Sequence, residues 1–507
     1  MKRSTVLPPG ILFNLTTDTQ SQTSPHLNSR NETSEHQRTC EWIFPFGIGR
    51  ICRFLFPLSV ALVFVMVVIL AQVSHAQAPN GTIPTTFFGQ TLVNPGSTYP
   101  TVPVGNMGKE SAAEWSYIEQ TAPSGSGCPG TVNCTHTYNW SMLDTYLSTA
   151  TAHGVPFMFF FTEAPPWATN GVDCRSIPPG QACRGPVVPD HTLDQQAFVT
   201  ALVNRYNGGS HGYIGSYELG NETDYAGTPA QYAAQSDRIV KAIKAVNPSA
   251  LIVGMGWAQP DGYYQSGGAF DQMWAAWKAI PGNSAHLDVV SYHGYPHTAN
   301  VVPEIVISGA GASGGQGSCA STGFVPCVKA AIARDSVTNF SGGTPKVWDT
   351  EGSWGTNSGY SGSQPAFIGR FLLLSWAAGT SQQAWYSWDN SQWGSINGNS
   401  ANITAYQQVH NWMIGSTMVS PCALAAGSTW TCTLGNSGST YEAVWNTSGS
   451  SSFTIPAGAW TSYRDLSGAE KSISGSDTTV SIGTLPILLV GSGSPVAPPT
   501  GLTATTH

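Results

Sequence analysis

The sequence predicts an α/β chain, a (β/α)8 TIM barrel over residues 77–415 followed by a small antiparallel β-sandwich over 416–491. From Phe87 to Met413, apolar runs of strand length alternate with helical patterns, the signature of βα units that feed a parallel sheet. The apolar runs number eight and are apolar on both faces, which suits strands enclosed between a packed interior and a ring of helices. Beyond Ser416 the helical period vanishes and short alternating stretches replace it.

Two segments precede the barrel. Residues 1–49 are polar and without periodicity, and read as a disordered leader. Residues 50–76 read as a signal peptide: Arg50 and Arg53 flank the apolar run Phe54 to Leu70, and Val73-Ser74-His75-Ala76 closes it with small residues, placing cleavage after Ala76. A secreted or extracytoplasmic protein follows, with a membrane as partner only if that segment stays uncleaved.

Within the barrel, Phe87-Phe88-Gly89 is the first strand and the region from Val104 to Trp115 the second unit. Val155 to Phe161 forms the third strand and Ser216 to Leu219 the fourth. Strand five is Leu251 to Gly256, strand six Leu287 to His293, strand seven Lys346 to Gly352 and strand eight Gln383 to Trp388. Helices are expected from Trp140, over Leu193 to Tyr206, and over Thr228 to Val246 with Thr228-Pro229 as cap and first-turn proline and Asn247-Pro248 as stop. Further helices are expected around Met273 to Trp277, Val328 to Ala333, Phe367 to Ala378 and Ala405 to Met413. Four alternating runs, Thr440 to Trp445, Ser452 to Ile455, Thr479 to Ile482 and Leu485 to Val490, build the sandwich, and residues 492–507 form a Pro/Thr-rich linker or tail.

Ten cysteines divide as Cys40 and Cys52 before the predicted cut and eight after it, in four close pairs: Cys128 with Cys134, Cys174 with Cys183, Cys319 with Cys327, and Cys422 with Cys432. Each pair lies in a Gly-, Pro- or Ser-containing stretch that a local disulfide can staple, in keeping with export. None forms a CxxC with accompanying histidines, so zinc is not expected. Charged residues make up only 9% of the chain and the net charge is −8, with no basic block of the kind that binds nucleic acid. Seventeen tryptophans is a high count; most are expected in the core, and the excess leans toward a carbohydrate partner, whose apolar ring faces stack on aromatics.

The chemistry is suggested by two strand ends. Gly220-Asn221-Glu222 follows strand four and Asp349-Thr350-Glu351 ends strand seven, each where an apolar run gives way to a Gly-, Ser- or Thr-containing loop. In a parallel barrel such ends converge on one mouth. Two carboxylates at one mouth suit glycosidic bond cleavage, which needs one acid to protonate the leaving oxygen and one carboxylate to attack the anomeric carbon. Glu218 alternates toward the barrel interior and is given no chemistry. No metal or cofactor is expected.

With His293-Gly294-Tyr295-Pro296 after strand six, this set resembles the retaining glycoside hydrolases of clan A, and family 39 most of all, over residues 85–490. The resemblance implies a retaining O-glycosidase of β-xylosidase-, β-galactosidase- or endo-glycanase-like type, with Glu222 as general acid/base holding its proton at neutral pH and Glu351 as nucleophile. It further implies that Asn221 donates to the sugar 2-hydroxyl, that His293 and Tyr295 orient the carboxylates, and that Trp385 or Trp388 is the sugar platform. Trp167 and Glu163 are expected to line the pocket. Relatives tend to carry an arginine on strand two, where this chain reads Asn106-Met107-Gly108-Lys109-Glu110, leaving Lys109 to supply the charge. That departure motivates a competing expectation, a non-catalytic glycan-binding or adhesive surface protein on a decayed barrel.

Overall fold

The computed structural model describes residues 79–491 apart from 80, 95–97, 109–112, 170, 172–173, 177–179, 223–226, 258–259, 261, 297–300, 310–318, 355–363 and 390–394. The polar leader, the signal segment, the tail, Cys40, Cys52 and Lys109 therefore lie outside the described residues.

Eight parallel strands close into a barrel: β1 (Phe88–Thr91), β2 (Asn106–Gly108), β3 (Phe157–Phe160), β4 (Gly212–Glu218), β5 (Leu251–Val253), β6 (Val289–His293), β7 (Lys346–Gly352) and β8 (Gln382–Trp385). Each pairs with its sequence neighbours, β3 pairs directly with β4, and β8 returns to β1 through Phe88↔Gln383 and Gly89↔Ala384. Side chains alternate accordingly. Phe157 and Phe159 join the main core, whereas Met158 and Phe160 meet Val253, Val289 and Trp348 from three other strands, which makes that cluster the barrel interior.

The helices form where caps and apolar faces allow. Pro229–Val246 opens on a capping box in which Thr228 Oγ1 accepts from Gln231 N at 3.3 Å and Gln231 Oε1 accepts from Thr228 N at 2.9 Å. Gln364–Ala378 buries Phe371, Leu372, Leu373 and Leu374 completely, because it is covered on one side by the barrel and on the other by the sandwich.

The β-sandwich contains eight strands, twice the number expected: β9 (Thr417–Ala426), β10 (Thr429–Asn436), β11 (Ser439–Asn446), β12 (Ser451–Thr454), β13 (Trp460–Asp465), β14 (Glu470–Ser472), β15 (Thr479–Ile482) and β16 (Ile487–Gly491). A six-stranded antiparallel sheet in the order β9-β10-β11-β16-β13-β14 faces the pair β12-β15 across Val444, Ile455, Val480, Ile482 and Leu489. Of the unforeseen strands, β10 does alternate, burying Trp430, Cys432 and Leu434, whereas all three residues of β14 are exposed.

Barrel and sandwich are joined by a buried charge. Arg370, on the Gln364–Ala378 helix, forms two hydrogen bonds to Glu304, one of them Nε to Oε1 at 2.7 Å, and Trp445 of β11 donates Nε1–H to the same Oε1 at 2.7 Å. All four expected cysteine pairs are bonded: Cys128–Cys134, Cys174–Cys183, Cys319–Cys327 and Cys422–Cys432.

Candidate active site

Strand β4 ends at Glu218, and the chain runs on to Asn221, which bridges to Gly256 beyond β5. Glu222 N donates to Gly256 O at 2.7 Å and holds Glu222 at φ 50°, a left-handed conformation that costs an ordinary residue ~1–2 kcal/mol. Such outliers persist where surrounding structure enforces them, and they cluster at functional sites. On β7 the register against β6 shifts between Asp349 and Glu351, so that Glu351 lies opposite His293. A local irregularity of this kind re-aims a side chain.

The two strand ends meet. Single donor atoms of Glu222, His293 and Glu351 all lie within 4.8 Å of one another. His293 is wholly buried, with Nδ1 3.1 Å from Glu222 Oε1 and 3.8 Å from Glu351 Oε2. Tyr295 donates its hydroxyl to Glu351 Oε1 at 2.8 Å. A third carboxylate stands behind them: buried Glu218 accepts from Thr350 Oγ1 at 2.8 Å, and a Cβ on Gly256 would fall 2.3 Å from His293 Nε2 and 2.9 Å from Glu218 Oε1. Only glycine at 256 leaves room for that approach.

The electrostatics follow from this crowding. Burial disfavours the His293 cation, yet Glu351, Glu222 and Glu218 together raise its pKa to about 10. Burial works to raise Glu222, but the hydrogen bond and charge of His293, with Arg184, bring it below the usual carboxylate value. These directions run against the expectation that Glu222 holds the proton at neutral pH and favour a charged His293 beside it. Tyr295 is held far above its ordinary value by burial and by Glu351, and so remains a neutral donor. Asp349, buried beneath the site, is pushed up to about 7 by desolvation, against the lowering influence of His293 and of the backbone N–H groups of Gly294 and Glu351.

Several expected site residues lie elsewhere. Trp385 and Trp388 are 0% and 1% exposed, so neither offers a ring face as a platform. Trp385 packs toward Phe371, and Trp388 donates Nε1–H to Thr98 O at 3.0 Å. Between them Tyr386, which the tryptophan count overlooked, lies 6.5 Å from the Tyr295 ring. Glu163 is committed to Arg175, at 2.7 and 2.9 Å, because a buried carboxylate requires a partner; Arg175 comes from the hairpin closed by Cys174–Cys183. Trp167 packs edge-on to Trp115 and His191. Asn221 sits beside Glu222, and its Oδ1 is buried with no hydrogen-bond partner among the described residues. Glu218, Asp349 and Arg184 were not assigned from sequence; only the inward alternation of Glu218 hinted at its place.

No protein-family model matches this chain, and no curated protein matches it. Solved structures do. The chain is similar to a family 39 glycoside hydrolase from the gut symbiont Bacteroides cellulosilyticus, with TM-score 0.59 and 17% identity over 82% of this chain and 83% of that one. It is also similar to a family 44 xyloglucanase from Paenibacillus polymyxa (TM-score 0.53, 14% identity, 81% and 97% covered). A third likeness is to a bifunctional glucanase-xylanase from a metagenome library (TM-score 0.52, 17% identity, 82% and 98% covered). At these identities the likeness is one of fold alone, and the fold is a (β/α)8 barrel followed by a β-sandwich.

Proposed function

We propose that this protein is a secreted retaining glycoside hydrolase that cleaves O-glycosidic bonds of an oligo- or polysaccharide by double displacement. The observation that carries the reading is the meeting of Glu222 and Glu351 across His293, with donor atoms within 4.8 Å. Inverting enzymes leave room for a water, with carboxyl groups about 6.5–9.5 Å apart, whereas retaining ones bring them to about 5–5.5 Å.

In this reading Glu351, steadied by the Tyr295 hydroxyl, attacks the anomeric carbon while Glu222 protonates the departing oxygen. The bond from carbon to the leaving oxygen breaks, and an ester to Glu351 forms. The proton comes from the Glu222–His293 pair: as Glu351 loses its charge to the ester, His293 loses one of the three carboxylates that sustain its cation, and its Nδ1 proton passes through Glu222 to the leaving group. Water then attacks the ester, Glu222 takes its proton, and His293 is recharged. Asn221 is the donor to the sugar 2-hydroxyl, a hydrogen bond that strengthens in the transition state.

The test is hydrolysis of a panel of aryl α- and β-glycosides, xylan and β-glucans by the protein and by Glu351→Ala. Activity on any member that the variant lacks supports the reading. Equal activity in both removes Glu351 as nucleophile, and glycan binding without turnover favours the non-catalytic alternative.

A further inference from the structure

Strand β7 alternates as a barrel strand should: Val347 belongs to the main core, whereas Trp348 joins the barrel interior. Asp349 therefore points outward, into the apolar layer between the strands and the Gln364–Ala378 helix. A Cβ built on Gly294 would fall 2.1 Å from Asp349 Oδ2 and 3.0 Å from a ring carbon of Phe371, which is itself wholly buried. A carboxylate with no exposure in such a layer is costly unless its oxygens are used.

They are used on the two strand ends that carry the site. Asp349 Oδ1 accepts from Gly294 N at 3.0 Å, and the carboxylate also accepts the backbone N–H of Glu351. Gly294 N is shared with Glu351 O at 3.0 Å, so three bonds tie the end of β6 to β7 at this point. Gly352 closes the other side: a Cβ there would fall 2.7 Å from Asp349 Oδ2 and 3.0 Å from Oδ1. Neither glycine has a positive φ, so space alone calls for glycine at both positions. The same carboxylate marks where the ladder breaks. Pairing of β7 shifts after Asp349 on both sides, by Glu351 against β6 and by Gly352 against β8. An aspartate that accepts the N–H two residues on competes with the sheet ladder in this way.

We propose that Asp349 is a positioning residue for the reaction: its carboxylate clamps the backbone of Glu351 to that of Gly294 and so sets the Tyr295 hydroxyl against the nucleophile. Tyr295 follows Gly294 directly, and its 2.8 Å bond to Glu351 Oε1 joins the two segments that Asp349 holds. Asp349 acts through these residues and not on the sugar, and the inference rests on reading Glu351 as the nucleophile. The groups facing Asp349 are Tyr292 and His293 on β6, Gln383 on β8 and Glu351 on its own strand. Oδ2 has no hydrogen-bond partner among the described residues, so Oδ1 remains an acceptor whether or not Oδ2 holds a proton.

The test uses the full chain with isotope-labelled glycine and glutamate. The amide resonances of Gly294 and Glu351 are expected to shift together as pH rises through about 7 and Asp349 ionises, and to stay still in Asp349→Asn. In Asp349→Leu, which keeps the size but loses the acceptor, kcat should fall ~10²-fold with KM little changed. Asp349→Asn, which keeps an oxygen acceptor, should recover about tenfold or more of that loss. Amides that do not move in the native chain would overturn the proposal, and so would native kcat in Asp349→Leu or equal kcat in the two variants. The amide titration decides the matter even where Asp349→Leu does not fold. Failure of the glycosidase reading would be seen separately, as amides that titrate together in a native chain that turns over no glycan.

Discussion

Nδ1 of the buried His293 imidazole lies 3.1 Å from Glu222 Oε1, and against the effect of burial the surrounding carboxylates raise its pKa to about 10. Replacing His293 with Gln keeps a polar group but removes the proton store. Hydrolysis of glycosides with poor leaving groups is expected to fall by ~10²-fold or more. Substrates with strongly acidic phenol leaving groups should lose far less, so a plot of log kcat/KM against leaving-group pKa steepens in the variant. An unchanged slope would remove His293 from proton delivery.

Tyr295 makes one hydrogen bond to Glu351, at 2.8 Å. Tyr295→Phe removes it without changing the ring. A hydrogen bond to a charged group is worth about 1.5–3 kcal/mol, so kcat is expected to fall ~10- to 100-fold. Tm should move little, which steady-state kinetics beside a thermal melt would show.

Stability should fall as the medium becomes alkaline. The His293 pKa is raised from 6.5 to about 10, so the folded state binds the extra proton across that window, and its contribution is full below pH 6.5 and lost as pH rises through 10. Asp349, raised from 3.8 to about 7, acts with the same sign at lower pH: the folded protein holds a proton that the unfolded chain has released. Tm should therefore decline between pH 6.5 and 10. The decline should flatten in His293→Gln, whereas Asp349→Asn should alter only the limb below pH 7. A flat native profile across pH 6.5 to 10 would contradict the charged state of His293.

The join between the two domains rests on Glu304, which accepts from both Arg370 and Trp445. Glu304→Gln leaves a buried guanidinium without its counter-charge, a change that typically costs about 3–5 kcal/mol. A lowered midpoint in denaturant with an unchanged slope is the expected outcome; a loss below ~1 kcal/mol would mean that packing of the Gln364–Ala378 helix alone holds the join.

Much of this was legible in the sequence because its signals are local. The apolar runs of β3, β6 and β7, the Thr228 cap and the four cysteine pairs each depend on residues close in the chain. Glu222, His293, Tyr295 and Glu351 were legible because they end strands of a closed barrel, whose topology fixes where strand ends go. What depended on distant packing was not. The burial of Trp385 and Trp388 comes from the Gln364–Ala378 helix and from Thr98. The capture of Glu163 comes from Arg175 on an inserted hairpin. The proton on His293 reflects three carboxylates from two strands and the loop after one of them, a sum that no single stretch reveals.

The central claim, that Glu351 forms a covalent glycosyl ester, is tested most directly by trapping it. The protein would be incubated with activated 2-deoxy-2-fluoro glycosides matching the sugar it hydrolyses, digested, and the labelled peptide sequenced by mass spectrometry. The label is expected on Glu351, with one sugar per protein and loss of activity in step with labelling. A label on another carboxylate, or continued turnover with no label, would contradict the claim.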